Sequence, residues 1–260
     1  MISKESVLKG LKTEVIGKKL FVFESIDSTN TCAKTLAEVG NPEGTVVFAD
    51  FQTSGRGRLG RSWIAAPGTN LLFSIVLRPT VKKESAGQLT FYSAVFIARA
   101  LERITEHAIE CKWPNDILLN GKKCCGILLE NSFQQDKFDF SVIGIGINVN
   151  QSSFPDDLSN RATSLFMELG HKFDRIKLLQ ELLRQADTLL PSLQNGETQK
   201  IMEDWNSRCS MFGKPVTIAH GEELVSGTAL GLDADGGLII KTAGGQSTFY
   251  AGDVTMVQQN

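Results

Sequence analysis

The chain has 260 residues, of which 42% are hydrophobic and 22% charged, and its formal net charge is −2. These values are typical of a soluble globular protein with one large domain, or with a domain and a small appendage. They exclude an overall electrostatic attraction to nucleic acid or to an anionic membrane, so an anion site would need a local cluster of basic residues.

The apolar runs and the cysteines narrow the class further. The longest apolar runs are too short to span a membrane, and the N-terminus lacks the pattern of a signal peptide. The five cysteines are odd in number and lack the paired spacing of a zinc site. They therefore predict free thiols, no metal site and a cytoplasmic location.

The first half of the chain reads as strands and helices that follow one another irregularly. Residues 20–25 predict a strand, and the helix that follows is expected to stop at Gly40. The β-branched and aromatic runs at 44–52 and 69–79 predict two more strands. Residues 84–108 carry apolar side chains at helical spacing, which predicts a helix packed on a sheet.

The middle of the chain contains the strongest turn signal. Asn120-Gly121 separates two strand-like runs, 111–119 and 122–130, and predicts a hairpin. A long buried strand is predicted at 138–150. Two amphipathic helices follow, from Asp174 to about residue 190 and over 197–207.

After Cys209 the helical period disappears. Short strands alternate with glycine-rich turns, which predicts a small closed or half-closed barrel. The change places a domain boundary near 212, so the expected domains are 1–212 and 213–260.

The stretch QTSGRGRLGRSW contains G-x-G-x-x-G at Gly55, Gly57 and Gly60. A dinucleotide-binding loop would be followed by a helix and, about twenty residues on, by an acidic residue. Here a Pro-Gly break and a strand-like run follow, and no acidic residue lies between Asp50 and Glu84. The Rossmann interpretation fails, and no Walker lysine is present either.

Three arginines lie in the same loop: Arg56, Arg58 and Arg61. Guanidinium groups match carboxylate and phosphate geometry, and glycines allow the backbone to approach a ligand closely. The alternative is a mobile, solvated basic turn or a nucleic-acid contact.

A second basic cluster belongs to the hairpin KWPNDILLNGKK. A two-residue turn at Asn120-Gly121 pairs Leu119 with Lys122 and Leu118 with Lys123. Alternation then places four residues on one face: Lys112, Asp116, Leu118 and Lys123. Solvated lysines are the alternative, but two basic clusters in an acidic chain favour a polyanionic small molecule.

Two further segments leave their roles open. Gly144 and Gly146 weaken a buried strand unless a ligand, or a tightly packed helix, lies against it. Asn148 either bonds a base edge or ends the strand. At the start of a helix, Ser28, Thr29 and Asn30 either cap it or bind a neutral polar ligand.

Together, ESIDSTN, FQTSGRGRLGRSW, KWPNDILLNGKKCCGILLE, IGIGINVN and ATSL, in this order, resemble the biotin protein ligase family, that is biotin–[acetyl-CoA-carboxylase] ligases, over about residues 20–258. The resemblance implies an α+β fold with a class II synthetase-like catalytic domain, in which helices pack on a mixed sheet, and then a small SH3-like barrel. It also implies that biotin and Mg-ATP give biotinyl-5′-AMP and pyrophosphate, after which a lysine of a biotin carboxyl carrier domain takes the biotinyl group.

The same resemblance implies the site residues. Those expected to contact biotin are Ser28, Thr29, Asn30, Gln52, Gly55, Arg56, Gly57, Arg58, Lys123 and Gly126. Those expected at ATP or the adenylate are Arg56, Arg58, Arg61, Trp63, Lys112, Asn115, Lys123 and Asn148. Lys112 and Arg58 would be catalytic, and Asp116 would orient the incoming amine, with a metal-binding or structural role equally open.

Three other expectations concern partners. A homodimer is one assembly that the resemblance allows. The segment before Ile26 is expected to be too short for the winged helix-turn-helix of repressor relatives, so no DNA-binding domain is expected. The alternatives are a lipoate or octanoyl transferase-like enzyme, a biotin-sensing transcriptional regulator and an inactive biotin-binding module, and the intact arginine and K-W-P-N-D motifs favour the ligase.

Overall fold

A computed structural model describes residues 2–79, 84–135, 137–221 and 223–256. Within them, the larger part of the chain is built on a seven-stranded sheet of order β1-β2-β3-β7-β6-β5-β4. The strands are β1 (Leu20–Ile26), β2 (Val46–Gln52), β3 (Leu71–Leu77), β4 (Glu110–Lys112), β5 (Asp116–Leu119), β6 (Lys122–Gln134) and β7 (Lys137–Ile147). β1 and β2 run parallel and the other neighbours antiparallel, so the sheet is mixed.

Helices pack on both faces of this sheet. They are α1 (Lys4–Leu8), α2 (Thr29–Glu38), α3 (Gln88–Thr105), α4 (Asp156–Ser159), α5 (Leu165–Leu169), α6 (Arg175–Gln194) and α7 (Thr198–Ser207). On one face, α3, α6 and α7 close a large apolar core. On the other face, α2 covers a smaller cluster made with β2, β3 and β7. No helix in the described ranges has the length and apolar content to cross a bilayer.

The C-terminal part forms a small antiparallel sheet of order β11-β10-β9-β8-β12. Its strands are β8 (Pro215–His220), β9 (Glu223–Leu232), β10 (Leu238–Thr242), β11 (Gly245–Phe249) and β12 (Asp253–Met256). It packs on the larger part through a turn: Trp113 donates its indole N–H to the Gly236 carbonyl at 3.0 Å. Gly236 has a φ of 86°, and a Cβ there would lie 2.2 Å from Phe91, so only glycine fits.

Most predicted elements are confirmed, including the α+β class and the hairpin register, in which Leu119 pairs with Lys122 and Leu118 with Lys123. The domain boundary near 212 stays a prediction, and residues 257–260 of the expected small domain lie outside the described residues. The helices α1, α4 and α5 were not predicted, because four or five residues are too few to show a helical period.

One predicted strand is wrong. Residues 111–119 do not form a single strand, because the chain reverses direction after Lys112 and pairs β4 with β5 in antiparallel register. Pro114 follows a cis peptide bond and lacks an N–H for the ladder. Lys112 therefore lies opposite Asp116 as a cross-strand partner, and not as its neighbour by alternation along one strand.

Candidate active site

The sheet face that carries α2 has a patch with almost no side chains. Three isoleucines of β7 belong to the large core, and because side chains alternate along a strand, Gly144 and Gly146 between them face α2. Gly126 on β6 faces the same way and pairs directly with Gly146. The result is a floor of bare backbone on which other groups can lie close to the strands.

Cross-strand pairing places charge beside this floor. Lys112 pairs with Asp116, Asp116 with Gly126, and Gly126 with Gly146, so the four form a row on one face. Among the described residues no ion pair includes Lys112. Its ammonium is therefore available to an anionic ligand lying on the glycine floor.

Lys123 reaches the same face through a β-bulge. By alternation along β6 it would point to the core side with Cys125. The pairing of β5 with β6 shifts between Ile117 and Leu118, so that Cys125 faces Ile117 while Lys123 faces Leu118. A bulge re-aims the side chain next to it. Lys123 Nζ consequently lies 2.5 Å from Asp116 Oδ1, as the predicted convergence of the two requires.

The first turn of α2 forms the other end of the site. The backbone N–H of Thr29 donates to Gln52 Oε1 at 2.7 Å, and the Thr29 hydroxyl lies 3.0 Å from the same oxygen. Ser74 on β3 extends this network, with its Oγ 2.8 Å from Thr29 Oγ1. Ser28 sits at the N-cap position but its side chain makes no capping hydrogen bond, so the structure does not support capping, one of the two roles left open for this residue.

Asn30 is buried and its side-chain amide is held at both ends. Its Oδ1 lies 2.6 Å from Ser74 Oγ, and its Nδ2 donates to Glu130 Oε2 at 2.7 Å. A Cβ at Gly144 would lie 2.1 Å from Asn30 Oδ1. Gly144 is thus needed for the close approach of α2, which answers the question that the sequence left open for this glycine.

The glycine-arginine loop is a small ordered hairpin. The N–H of Trp63 donates to the Gly55 carbonyl at 2.9 Å, and the N–H of Gly57 donates to the Arg61 carbonyl at 2.7 Å. The tip turns at Leu59 and Gly60, which have φ values of 54° and 72°. A Cβ at Gly55 would lie 2.6 Å from the Trp63 carbonyl oxygen, so glycine allows the two sides to meet.

Each arginine of the loop has a partner elsewhere in the fold. Arg56 Nη2 donates to Glu130 Oε2 at 2.8 Å, and Arg58 Nη1 donates to Asn115 Oδ1 at 2.9 Å. Arg61 contacts Asp253 on β12 of the small sheet. These contacts are not those of a freely solvated basic turn.

Trp63 lies flat on the glycine floor. A Cβ at Gly146 would lie 2.5 Å from Trp63 Cε2, and one at Gly126 would lie 2.8 Å from Cζ3. Lys123 Nζ is 5.7 Å from the centre of the indole ring, close enough for a cation–π interaction. The Trp63 indole N–H is buried without a hydrogen-bond partner in the described part of the chain. The paired glycines therefore make a seat for this aromatic ring.

Two asparagines at the edges of the site differ in how fully their side-chain amides are hydrogen-bonded. Asn115 donates from Nδ2 to the Ile127 carbonyl at 2.6 Å and accepts from Arg58, so its amide is fully oriented. Asn148 donates to the Thr163 carbonyl at 3.0 Å, whereas its buried Oδ1 has no partner among the described residues. An unpaired buried acceptor costs free energy, so Asn148 Oδ1 is a candidate to accept a hydrogen bond from a ligand.

Burial controls ionisation around the site. It lowers the pKa of the Arg58 guanidinium, and the nearby Asp253 and Asp116 oppose that shift. Burial also raises the pKa of the Cys124 thiol to about 12 and that of Cys209 to about 11, which removes them as thiolate nucleophiles near neutral pH. No group of three His, Cys, Asp or Glu side chains suited to a metal is found in the described ranges.

The structure brings the expected site residues together on one face, in two groups. The α2 group comprises Ser28, Thr29, Asn30 and Gln52, and the row group comprises Lys112, Asn115, Asp116, Lys123 and Gly126; the loop from Gly55 to Trp63 joins them. Asn148 donates its backbone N–H to the Cys124 carbonyl at 2.8 Å, and Arg61 contacts Asp253 of the small sheet.

Sequence reasoning missed Ser74, Glu130 and Asp253. Ser74 is fully buried in the apolar run LLFSIVL, and a buried hydroxyl needs a partner, so its position was a usable signal. Glu130 and Asp253 carry no local signal.

Comparison with known proteins identifies the family of the chain. Residues 22–148 match the Biotin/lipoate A/B protein ligase family, and residues 211–257 match the Biotin protein ligase C terminal domain. The bifunctional ligase/repressor BirA of Bacillus subtilis is 37% identical over 98% of this chain and 79% of its own length. The biotin–[acetyl-CoA-carboxylase] ligase of Paracoccus denitrificans is 33% identical over 88% of this chain and 96% of its own.

A solved structure gives the same result for the fold. The biotin protein ligase of Aquifex aeolicus in complex with biotin and ATP superposes with a TM-score of 0.79 and 33% identity, covering 93% of this chain and all of that one. With motifs, fold and relatives in agreement over most of its length, this chain belongs to the biotin protein ligase family.

Proposed function

We propose that this protein is an ATP-dependent biotin–[acetyl-CoA-carboxylase] ligase that works on the glycine floor. The biotin carboxylate attacks the α-phosphate of ATP, giving biotinyl-5′-AMP and pyrophosphate. The ε-amine of a carrier lysine then attacks the acyl carbon, the bond to the phosphate oxygen breaks, and AMP leaves. The observation that carries the proposal is the convergence of a buried polar pocket, a cationic row and an arginine hairpin over Gly126 and Gly146.

The start of α2 is the proposed seat of the biotin ring system. A ureido group has two N–H donors and one carbonyl acceptor, which hydroxyl and amide groups satisfy in a buried pocket. The Ser28 hydroxyl makes no capping bond, and Gln52 has its Oε1 engaged by Thr29, which leaves its Nε2 to face the ligand. Asn30 shapes this pocket from below, since both ends of its amide are already bonded.

The row beside the floor is the proposed phosphate end. Among the described residues no carboxylate forms an ion pair with Lys112, and its ammonium would stabilise the negative charge that develops as the biotin carboxylate attacks. Cationic groups aimed at developing charge are among the largest catalytic contributions, about 3–4 kcal/mol for a single donor. Lys123 is held by Asp116 at 2.5 Å, and an incoming phosphate or carboxylate would compete for it.

The nucleotide would occupy the space between the hairpin and the row. Trp63 offers an aromatic face, and Asn115 is oriented by Arg58. Asn148 Oδ1, which has no partner in the part of the chain that the structure describes, can accept from a donor such as an exocyclic amine. Mg2+ would enter on the phosphate oxygens of ATP, because it favours oxygen ligands and keeps several waters.

Asp116 is the proposed contact for the incoming lysine amine. Once phosphate draws Lys123 away, the Asp116 carboxylate can accept a hydrogen bond from the amine and direct its lone pair at the acyl carbon. The arginine hairpin would cover the mixed anhydride until then, because exposure to water hydrolyses it.

The family acts on biotin carboxyl carrier proteins, and a carrier domain of a biotin-dependent carboxylase is the proposed acceptor. A cytoplasmic location and homodimer formation belong to the same proposal. Multi-angle light scattering at several protein concentrations tests the dimer.

The test is pyrophosphate release with ATP and biotin, followed by intact mass measurement of an added carrier domain. We expect release that requires biotin, and one biotinyl mass increment on the carrier. Release with octanoate or lipoate in place of biotin would favour the transferase-like alternative. Biotin binding without release would contradict the ligase assignment.

A further inference from the structure

Glu130 lies between the two ends of the site and contacts both. Its Oε2 accepts from Asn30 Nδ2 at 2.7 Å and from Arg56 Nη2 at 2.8 Å. Asn30 belongs to the first turn of α2, and Arg56 belongs to the glycine-arginine hairpin. One carboxylate oxygen thus connects the first turn of α2 to the glycine-arginine hairpin, in addition to the backbone hydrogen bond from Ser54 N–H to the Asp27 carbonyl at 2.9 Å. We call these three residues the Asn30–Glu130–Arg56 bridge.

The position of Glu130 on the sheet explains how it can make both contacts. It is an even-numbered residue of β6, like Gly126, and therefore projects from the face that carries the glycine floor. Its strand partner is Val142 of the small apolar cluster under α2. Glu130 is about a third exposed and Arg56 somewhat more, so the hairpin side of the bridge borders on solvent.

The charge of Glu130 matters to one partner more than to the other. Asn30 needs only an acceptor, which a neutral amide oxygen can supply. Arg56 gains a charge-assisted hydrogen bond, which is stronger and depends on the carboxylate. A change that keeps the acceptor but removes the charge therefore separates the two contacts.

We propose that Glu130 is a positioning residue that couples the pocket at the start of α2 to the closed state of the arginine hairpin. Resting on the proposed ligase function, the bridge links occupancy of the biotin pocket to retention of the adenylate. A ligand in the pocket restricts the side chain of Asn30, and the hydrogen bond from Asn30 then restricts the carboxylate of Glu130. That carboxylate in turn holds Arg56 in the closed position of the hairpin. Glu130 touches neither reacting atom in this scheme.

Glu130→Gln tests the coupling, with Arg56→Ala and the double variant completing a cycle. Preformed biotinyl-5′-AMP complex is chased with unlabelled biotin, and the release rate is measured. Because the pair is partly exposed, we expect Glu130→Gln to speed release by about two- to fivefold. The double variant should release no faster than Arg56→Ala alone. Glu38→Gln, which alters an exposed pair within α2, is the matched control and should be unchanged.

Hydrogen exchange of the ligand-free protein gives a readout that does not depend on catalysis. Glu130→Gln should raise exchange in the hairpin amides of residues 55–63 while leaving β6 protected. If the wild-type protein makes no adenylate, the proposed ligase function is wrong. Hydrogen exchange of the same variants still tests the Asn30–Glu130–Arg56 bridge. Two results would overturn the role of Glu130. One is a double variant whose release rate is raised by the product of the two single effects. The other is hairpin hydrogen exchange in Glu130→Gln that equals that of the wild type.

Discussion

Replacing Gly146 by alanine tests whether the glycine floor exists to seat Trp63. The new Cβ would lie 2.5 Å from Trp63 Cε2 and 2.7 Å from Nε1. Carbon atoms in contact are about 3.5–4.0 Å apart, so the indole would have to lift by about 1 Å. The strand itself would not suffer, since Gly146 is not among the residues of positive φ, and alanine in a strand costs about 0.5–1 kcal/mol less than glycine.

The consequence should fall on activity and not on the fold. Displacing a positioning group by about 1 Å can cost on the order of 100-fold in rate. We therefore expect kcat/KM for ATP in pyrophosphate release to fall by on the order of 100-fold. The melting temperature should stay the same or rise slightly.

Tryptophan fluorescence reports the displacement directly. Trp113 and Trp205 are only 2% and 1% exposed, so a red shift and stronger acrylamide quenching in Gly146→Ala would come from Trp63. Gly231→Ala is the matched control, because a Cβ at this strand glycine meets no atom within 4 Å. Wild-type kinetics together with unchanged tryptophan emission in Gly146→Ala would refute the hypothesis that Gly146 makes room for Trp63.

Three further predictions follow from the site. Arg58→Ala removes a charge-assisted bond to Asn115, and adenylate release in a chase assay should become about 10-fold faster or more. An unchanged release rate would contradict the proposal that the arginine hairpin covers the adenylate. Lys112→Ala should lower the adenylation rate by about 100- to 1,000-fold at an unchanged melting temperature. The control Lys137→Ala, at an exposed lysine, should change neither the rate nor the melting temperature. Near-normal turnover of Lys112→Ala would show that Lys112 is not catalytic. Because the pKa of Cys124 is raised to about 12, its thiol stays protonated below that pH, and iodoacetamide at pH 8 should leave it unlabelled in peptide mass spectra; rapid labelling would show that the strand opens.

Local signals predicted the parts of the fold that local geometry decides. Asn120 and Gly121 have φ values of 51° and 76°, the conformations that a two-residue hairpin turn requires, and the register followed from them. The reversal at Pro114 was read as a distortion within a strand, because proline marks an interruption without giving its angle. The bulge that turns Lys123 is invisible in the sequence, although the pairing of Leu118 with Lys123 was predicted correctly.

The site was predicted where side-chain type indicates chemistry, and missed where only position does. Arginines and lysines near glycines indicated an anion site. Glu130 looks like any solvent-facing residue at the end of GILLE, and its role depends on the hairpin lying 74 residues away in sequence. The ambiguity of Gly144 and Gly146 could be resolved only by knowing that an asparagine lies over one and a tryptophan over the other.

The contact between Arg61 and Asp253 joins residues 192 positions apart. A chain emerging from the ribosome can therefore complete its sheet and its arginine hairpin long before this contact can form. The hairpin can gain this partner only after residue 253 has been made. Synthesis itself thus imposes an order of assembly in which the small sheet joins the arginine hairpin after the larger sheet can already have formed.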